Sequence, residues 1–221
     1  MIKRLCYMAQ YEKENINIIK EIINKTKVNL KSVNILTLSL FNCEEILFLY
    51  YECINEEACP TEILESISLY LKSWPGAHEE RLWVPMYDIF HYNKPISIDQ
   101  WKRKSAVVKP FGMIAKLKPE MISSYIFYHH QYQEEKPGDG DKYGIINLHE
   151  NLMFFYLEEP FVKEKAQYQG SLSTNNTPSN WGEVMDPHFI YWEYPSQEKE
   201  IWKHIEVLLH ISENILGGKL C

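Results

Sequence analysis

Two stretches of this chain read as copies of one another. Glu44-Glu45-Ile46-Leu47-Phe48-Leu49-Tyr50-Tyr51-Glu52 aligns with Glu150-Asn151-Leu152-Met153-Phe154-Phe155-Tyr156-Leu157-Glu158, with Glu, Phe, Tyr and Glu matching at one offset. Farther along, Trp83 precedes His91 by the interval that separates Trp202 from His210, and each histidine closes an apolar run. A repeat of this length makes each copy one supersecondary unit, so it restricts the fold before any single element is considered. The offset grows from 106 at Phe48/Phe154 to 119 at His91/His210, which places the extra residues of the second copy between Pro160 and Glu200.

Hydrophobic periodicity predicts the same order in both copies: strand, helix, strand, strand, helix, strand. The first-copy elements are expected at residues 2–10, 14–28, 33–40, 46–53, 61–71 and 86–91, and the second-copy elements at 107–117, 120–133, 143–148, 152–157, an interrupted helical region 163–185, and 206–211. Ile16, Ile19, Ile22 and Ile23 carry the first helix by their spacing of three and four, and Pro119 suits the start of the helix in the second copy. Pro137-Gly138-Asp139-Gly140-Asp141 reads as a loop. The expected fold is therefore α+β: two ferredoxin-like βαββαβ repeats packed as an intrachain pseudo-dimeric α/β barrel, because each sheet would otherwise leave one apolar face uncovered. Residues 1–95 would form the first repeat, 96–106 a linker, and 107–221 the second repeat with the candidate site.

A formal net charge of −7 excludes a protein that coats itself in Lys and Arg to displace phosphate counterions, so no nucleic-acid partner is expected and a small polar ligand fits better. The basic cluster Trp101-Lys102-Arg103-Lys104 reads as a solvated linker. Five cysteines, Cys6, Cys43, Cys53, Cys59 and Cys221, lack CxxC spacing, which favours reduced thiols in a cytoplasmic protein. No window approaches a membrane-spanning apolar run, so no membrane partner is expected.

Tyr125 and His129 stand four positions apart on one helix, within side-chain reach, and an imidazole beside a phenol suits proton transfer near neutrality. The plainer reading is that this aromatic stripe packs in the core. Asn180-Trp181-Gly182-Glu183-Val184-Met185-Asp186-Pro187 offers an indole and a carboxylate, a pairing that suits sugar C–H faces and hydroxyls, or else a buried indole at a helix stopped by Asp-Pro. His129, His130, His149, His188 and His210 lack HxH or HExxH spacing, so no metal is expected; nucleotide-binding and serine-hydrolase motifs are also missing, and no cofactor is expected.

From about Lys109 to Ile211 the chain resembles the L-rhamnose mutarotase family. The resemblance rests on Phe111-Gly112-Met113 through Leu117-Lys118-Pro119-Glu120, on Tyr125 with His129, on Tyr143-Gly144-Ile145 through Leu152-Met153-Phe154, and on Trp181, Asp186-Pro187 and the segment Trp202 to His210. It implies a small dimer-forming ferredoxin-like protein that exchanges sugar anomers without a cofactor. It further implies His129 as the catalytic acid/base, Tyr125 as its partner, and Trp181, Asp186 and Met113 as sugar contacts. Gly182 stands where many members carry a second tryptophan, and Gln133-Glu134 replaces a Trp-Pro pair. The expected function is a mutarotase for L-rhamnose or a related monosaccharide. A non-catalytic sugar-binding or regulatory protein is the alternative, and other dimeric α/β-barrel proteins, including small monooxygenases and haem-handling proteins, are a third reading by fold analogy alone.

Overall fold

The computed structural model describes residues 1–26, 34–76, 79–104, 108–193 and 199–212. The expected end of the first helix at Val28, the start of the next strand at Val33, the end of the 96–106 linker, Val107 and Cys221 lie outside the described residues. In chain order the elements are β1 (Ile2–Tyr11), α1 (Ile16–Lys25), β2 (Ile35–Cys43), β3 (Ile46–Ile54), α2 (Pro60–Ile63), β4 (Leu71–Lys72), β5 (Trp83–His91), α3 (Ile98–Trp101), β6 (Lys109–Leu117), α4 (Ile122–Glu135), β7 (Ile145–His149), β8 (Leu152–Glu159), α5 (Trp181–Met185), β9 (Phe189–Ile190), β10 (Trp192–Glu193), β11 (Lys199–Glu200), β12 (Lys203–His204) and β13 (Glu206–Ser212). They fall into two compact units. One comprises Met1–Met86, Pro95–Pro110 and Glu206–Cys221; the other comprises Tyr87–Lys94 and Phe111–Ile205.

In the first unit the strands run β13-β2-β3-β1, followed by the Trp83–Met86 part of β5, with antiparallel registers such as Phe41↔Phe48 and Met8↔Val84. The β2–β3 hairpin turns through Glu44 at φ 56°, and the β7–β8 hairpin of the second unit turns through Glu150 at φ 52°. A left-handed conformation costs an L-residue roughly 1–2 kcal/mol, so the repeat preserves a specific turn as well as the strands around it. α1 buries Ile19 and Ile23 against Leu38, Leu40, Leu47, Leu49 and Tyr51. Each such side chain contributes about 1.5–3 kcal/mol by leaving water.

The segment carrying Trp101 and Arg103 is not a solvated linker. Ser97 caps α3 by accepting from the Gln100 amide at 3.1 Å, and Trp101 is only 1% exposed, with the Arg4 guanidinium 5.2 Å from its ring. Arg103 is nearly buried and donates through both terminal nitrogens to the fully buried Glu52 carboxylate, Nη2 reaching Oε1 at 2.8 Å. The Tyr50 hydroxyl donates to the same Oε1 at 2.6 Å and accepts from Arg4 Nε at 2.9 Å. The second copy keeps the Tyr-x-Glu pair: the Tyr156 hydroxyl donates to buried Glu158 at 2.8 Å.

In the second unit the strands run β12-β6-β8-β7, followed by the Tyr87–His91 part of β5, and β9 pairs with the end of β6. Its core gathers Phe90, Leu117, Tyr125, Ile146, Leu148, Met153, Met185 and Phe189.

Two observations correct the expectation of ferredoxin-like βαββαβ repeats closing a pseudo-dimeric barrel. First, the closing strand of each copy leaves its own copy. β13 pairs with β2 of the first unit, from Glu206↔Asn42 to Ser212↔Thr37, while the end of β5 pairs with β7 of the second, as in Tyr87↔Leu148. Second, neither second helix forms as expected. At 61–71 the chain makes the four-residue α2 and a 3-10 turn at Glu65–Tyr70; in 163–185 helix is confined to Trp181–Met185. Gly170, Ser171, Ser173, Asn175, Asn176, Thr177, Pro178 and Ser179 account for the latter, since their side chains and backbones favour turns over a helix interior.

Candidate functional site

Tyr125, His129 and Tyr132 recur along α4 at spacings of four and three and so share a face. The Tyr125 and His129 rings stack with centroids 3.9 Å apart and 28° between planes. His129 meets Phe90 edge-on at 5.1 Å and Trp181, the first residue of α5, at 4.9 Å. Phe90 in turn meets Tyr92 at 4.7 Å and Tyr132 at 5.7 Å, and Tyr132 meets Trp181 at 5.2 Å. Phe90, Tyr92, Tyr132 and Trp181 line a cavity of about 200 Å³. A larger hollow in the first unit, about 330 Å³, is edged by Gln10, Glu12, Lys13, Glu45 and Lys72. There Lys72 is paired to Glu12, and the Tyr11 hydroxyl donates to Asn42.

His129 is 5% exposed, and its Nδ1 lies 3.0 Å from the Tyr125 carbonyl oxygen. A carbonyl only accepts, so this contact assigns the proton to Nδ1 and leaves Nε2 as a lone-pair acceptor. Burial lowers the imidazole pKa to about 4; the Tyr125 carbonyl opposes that shift and His188 adds to it. Burial pushes the Tyr125 phenol far above its ordinary range, with Tyr92 adding to the effect. Burial therefore favours the uncharged form of both groups at neutral pH.

Of the other residues singled out in the sequence, Trp181 joins this cluster. Asp186 is exposed beyond the end of α5, where it accepts from the Tyr191 hydroxyl, and Met113 is half-buried on β6 opposite His204; neither lines the cavity. At Gly182 a Cβ would meet nothing within 4 Å, so no side chain fills the place of a second tryptophan. His91 and His210, which end matching strands, serve different contacts: His91 Nδ1 pairs with Asp88 at 2.7 Å, and His210 Nδ1 meets Ser39 Oγ at 2.9 Å. Phe90, Tyr92 and Tyr132 were not apparent as site residues. Tyr132 alone had a signal, its helical spacing from Tyr125 and His129, whereas Tyr92 follows a strand with no pattern to mark it.

Two loops hold the cavity walls. Gly138 donates its amide to the Tyr92 carbonyl at 2.6 Å, and Asp139 accepts from the Tyr132 hydroxyl at 2.9 Å while pairing with Lys163 at 2.8 Å. Gly138 sits at φ 78°, and a Cβ there would lie 2.5 Å from the Ala166 amide nitrogen, so glycine is required. The segment leading into Trp181 is tied to the end of α4. Glu135 accepts from the Thr174 and Thr177 hydroxyls and from the Asn176 and Thr177 amides, both amides at 2.8 Å, and Glu134 accepts from the Ser171 amide at 2.7 Å. Desolvation opposes the Glu135 charge, yet these hydrogen bonds hold its carboxyl well below the usual range. The clamp is therefore present above the ordinary carboxylate pKa and is lost only as pH falls through the lowered value. Glu135→Ala should accelerate proteolytic cleavage within residues 163–180 at pH 7 relative to the unmodified protein; equal cleavage rates would show that the clamp does not order the segment.

Among the described residues, no three or more His, Cys, Asp and Glu side chains are grouped to hold a metal ion, and no helix is long and apolar enough to cross a membrane. No family model matches the chain, and no curated protein matches it. A solved structure from Fusobacterium nucleatum named “putative monooxygenase” is similar to it, at 10% identity over 96% of this chain and 94% of that chain, with a TM-score of 0.45. A second structure of that name, from Lactobacillus acidophilus, is 7% identical over 96% of each chain, with a TM-score of 0.44. These findings correct the expected activity: the similar structures bear the name of an oxygenase class and not of an isomerase, so L-rhamnose mutarotation is not retained. At such TM-scores the likeness transfers no activity to this chain.

Proposed function

We propose that the second unit binds a small organic molecule in the cavity walled by Phe90, Tyr92, Tyr132 and Trp181. The observation that carries this reading is convergence: side chains from β5, the residues after it, α4 and α5 surround one hollow of about 200 Å³. Aromatic-walled hollows with few polar groups are the usual form of a small-molecule site. Recognition is favoured over proton transfer, because the titratable groups closest to the cavity, the His129 imidazole and the Tyr132 and Tyr92 phenols, are all shifted away from neutrality.

A thermal-shift screen of a small-molecule library tests the reading against the unmodified protein, Trp181→Ala and Tyr132→Ala. Compounds that stabilise the first and lose about tenfold or more in affinity for the variants support it, since one aromatic contact in a desolvated pocket is commonly worth that much. A screen in which no stabilising compound depends on Trp181 overturns it.

A further inference from the structure

We infer that the ligand of this cavity carries an alkylated ammonium headgroup, and that Phe90, Tyr92, Tyr132 and Trp181 form an aromatic cage around it. The inference rests on the small-molecule reading above and names the chemistry of its ligand.

The first ground is the arrangement of the walls. The Phe90 ring stands at 80° to Tyr92 and 68° to Tyr132, Tyr92 at 79° to Tyr132, and Tyr132 at 57° to Trp181. Rings turned so steeply to one another make the sides of a box. A flat aromatic ligand is best held in a slot between parallel rings, whereas a box matches a compact, rounded group that touches several π-faces at once. A trimethylammonium group has that shape, and its diffuse charge is drawn to the negative face of each ring.

The second ground is the charge around the box. The carboxylates of Asp139 and Asp141 lie close enough to Tyr92 to disfavour its ionisation. Asp139 also holds the Tyr132 hydroxyl, which makes that ring more electron-rich. Lys136 Nζ stands 5.6 Å from the Tyr132 ring centroid, within the range of a cation–π contact. His129, which touches both Phe90 and Trp181, is held neutral and so does not repel one. Asp139 is itself paired with Lys163, and none of the four side chains lining the cavity is cationic to receive an anionic ligand.

The third ground is how Tyr92 is held. A Cβ on Gly140 would lie 2.3, 2.4 and 2.6 Å from three atoms of its ring, and one on Gly144 would lie 2.9 Å from Cδ2, so Gly140 packs on one face of the ring and Gly144 against an edge. That fixes a wall of the box without using the hydroxyl.

The test compares choline with its uncharged carbon isostere, 3,3-dimethylbutan-1-ol, by calorimetry and tryptophan fluorescence on the full chain. Choline is expected to bind at least about tenfold more tightly than the isostere, because only the charged compound gains from the ring quadrupoles. Tyr92→Leu and Tyr132→Leu should abolish that preference, while Tyr92→Phe should retain it, which separates the π-face from the hydroxyl and from general packing. A trimethyllysine peptide forms a further arm: a preference for it over choline also supports the cage and assigns the headgroup to a modified protein tail instead of a free compound. Equal binding of choline and its isostere, both dependent on Trp181, overturns the cage and leaves the small-molecule site standing. Binding of neither overturns the cage as well, and the library screen then decides the site by itself.

Discussion

Arg103→Ala is expected to destabilise the protein by about 3–5 kcal/mol, because it removes the guanidinium that contacts both oxygens of the fully buried Glu52 carboxylate. Arg103 contacts both oxygens of Glu52, and the neutral Tyr50 hydroxyl donates to the same carboxylate. Burial by itself would raise the Glu52 pKa, yet Arg103, then Arg4 and Tyr50, hold it below the ordinary carboxylate value. The lowered pKa means that this stabilisation is complete above the unfolded value of about 4.3 and is lost as pH falls through the folded value. The double variant Arg103→Met with Glu52→Leu should recover most of the loss, since replacing both partners removes the uncompensated charge. Urea unfolding of the unmodified protein and the two variants checks this. A cost below about 1 kcal/mol for Arg103→Ala would show the pair to be hydrated like an exposed ion pair.

Between about pH 7 and pH 4, the unmodified protein should lose up to roughly 3 kcal/mol more stability than His129→Gln, following from the folded pKa of about 4. Burial keeps His129 neutral in the native state, whereas in the unfolded chain an imidazole titrates near 6.5. As pH falls below that value, the unfolded state takes up a proton that the native state excludes, and stability declines. Once pH passes the folded pKa the native state also protonates and the penalty stops growing. The comparison uses the difference in slope with pH, because every other titrating group is common to both proteins and a fixed packing cost of glutamine cancels. Parallel pH profiles would mean that water reaches the imidazole in the native state. A ligand that hydrogen-bonds to Nε2 should steepen the profile of the unmodified protein alone.

The elements that periodicity marks strongly are those whose residues bury one face locally. α1 announces itself because Ile16, Ile19, Ile22 and Ile23 recur with the helical period, and the matching Tyr-x-Glu pairs show that two hairpins share one design. The stretch 163–180, expected as part of an interrupted helical region, forms no helix, since its Gly, Ser, Thr and Asn residues satisfy polar groups through Glu134 and Glu135, which lie far back in the sequence. Trp101-Lys102-Arg103-Lys104 misled for a related reason. Charge density reads as solvation unless the buried carboxylate that receives Arg103 is visible, and Glu52 lies 51 residues away. In the candidate site, Tyr125 and His129 were legible as neighbours because one helical turn separates them. Asp186 and Met113 carried the right chemistry for a ligand contact, but no local rule states which way they face the cavity.

Sequence by itself determined the likeness of the two hairpin segments, the amphipathic α1, and the placing of Tyr125 and His129 as neighbours on one helix face. All of these depend on contacts within a few residues or on identity between two stretches, so they survive without knowledge of the fold. Tertiary structure decided that β13 pairs with β2 and the end of β5 with β7, that Arg103 is buried on Glu52, and that Phe90 and Tyr92 join Tyr132 and Trp181 around one cavity. Each of these joins segments distant in the chain, and strand edges accept any partner of suitable register. Which partner wins depends on total burial over the folded molecule, a quantity that no single segment carries.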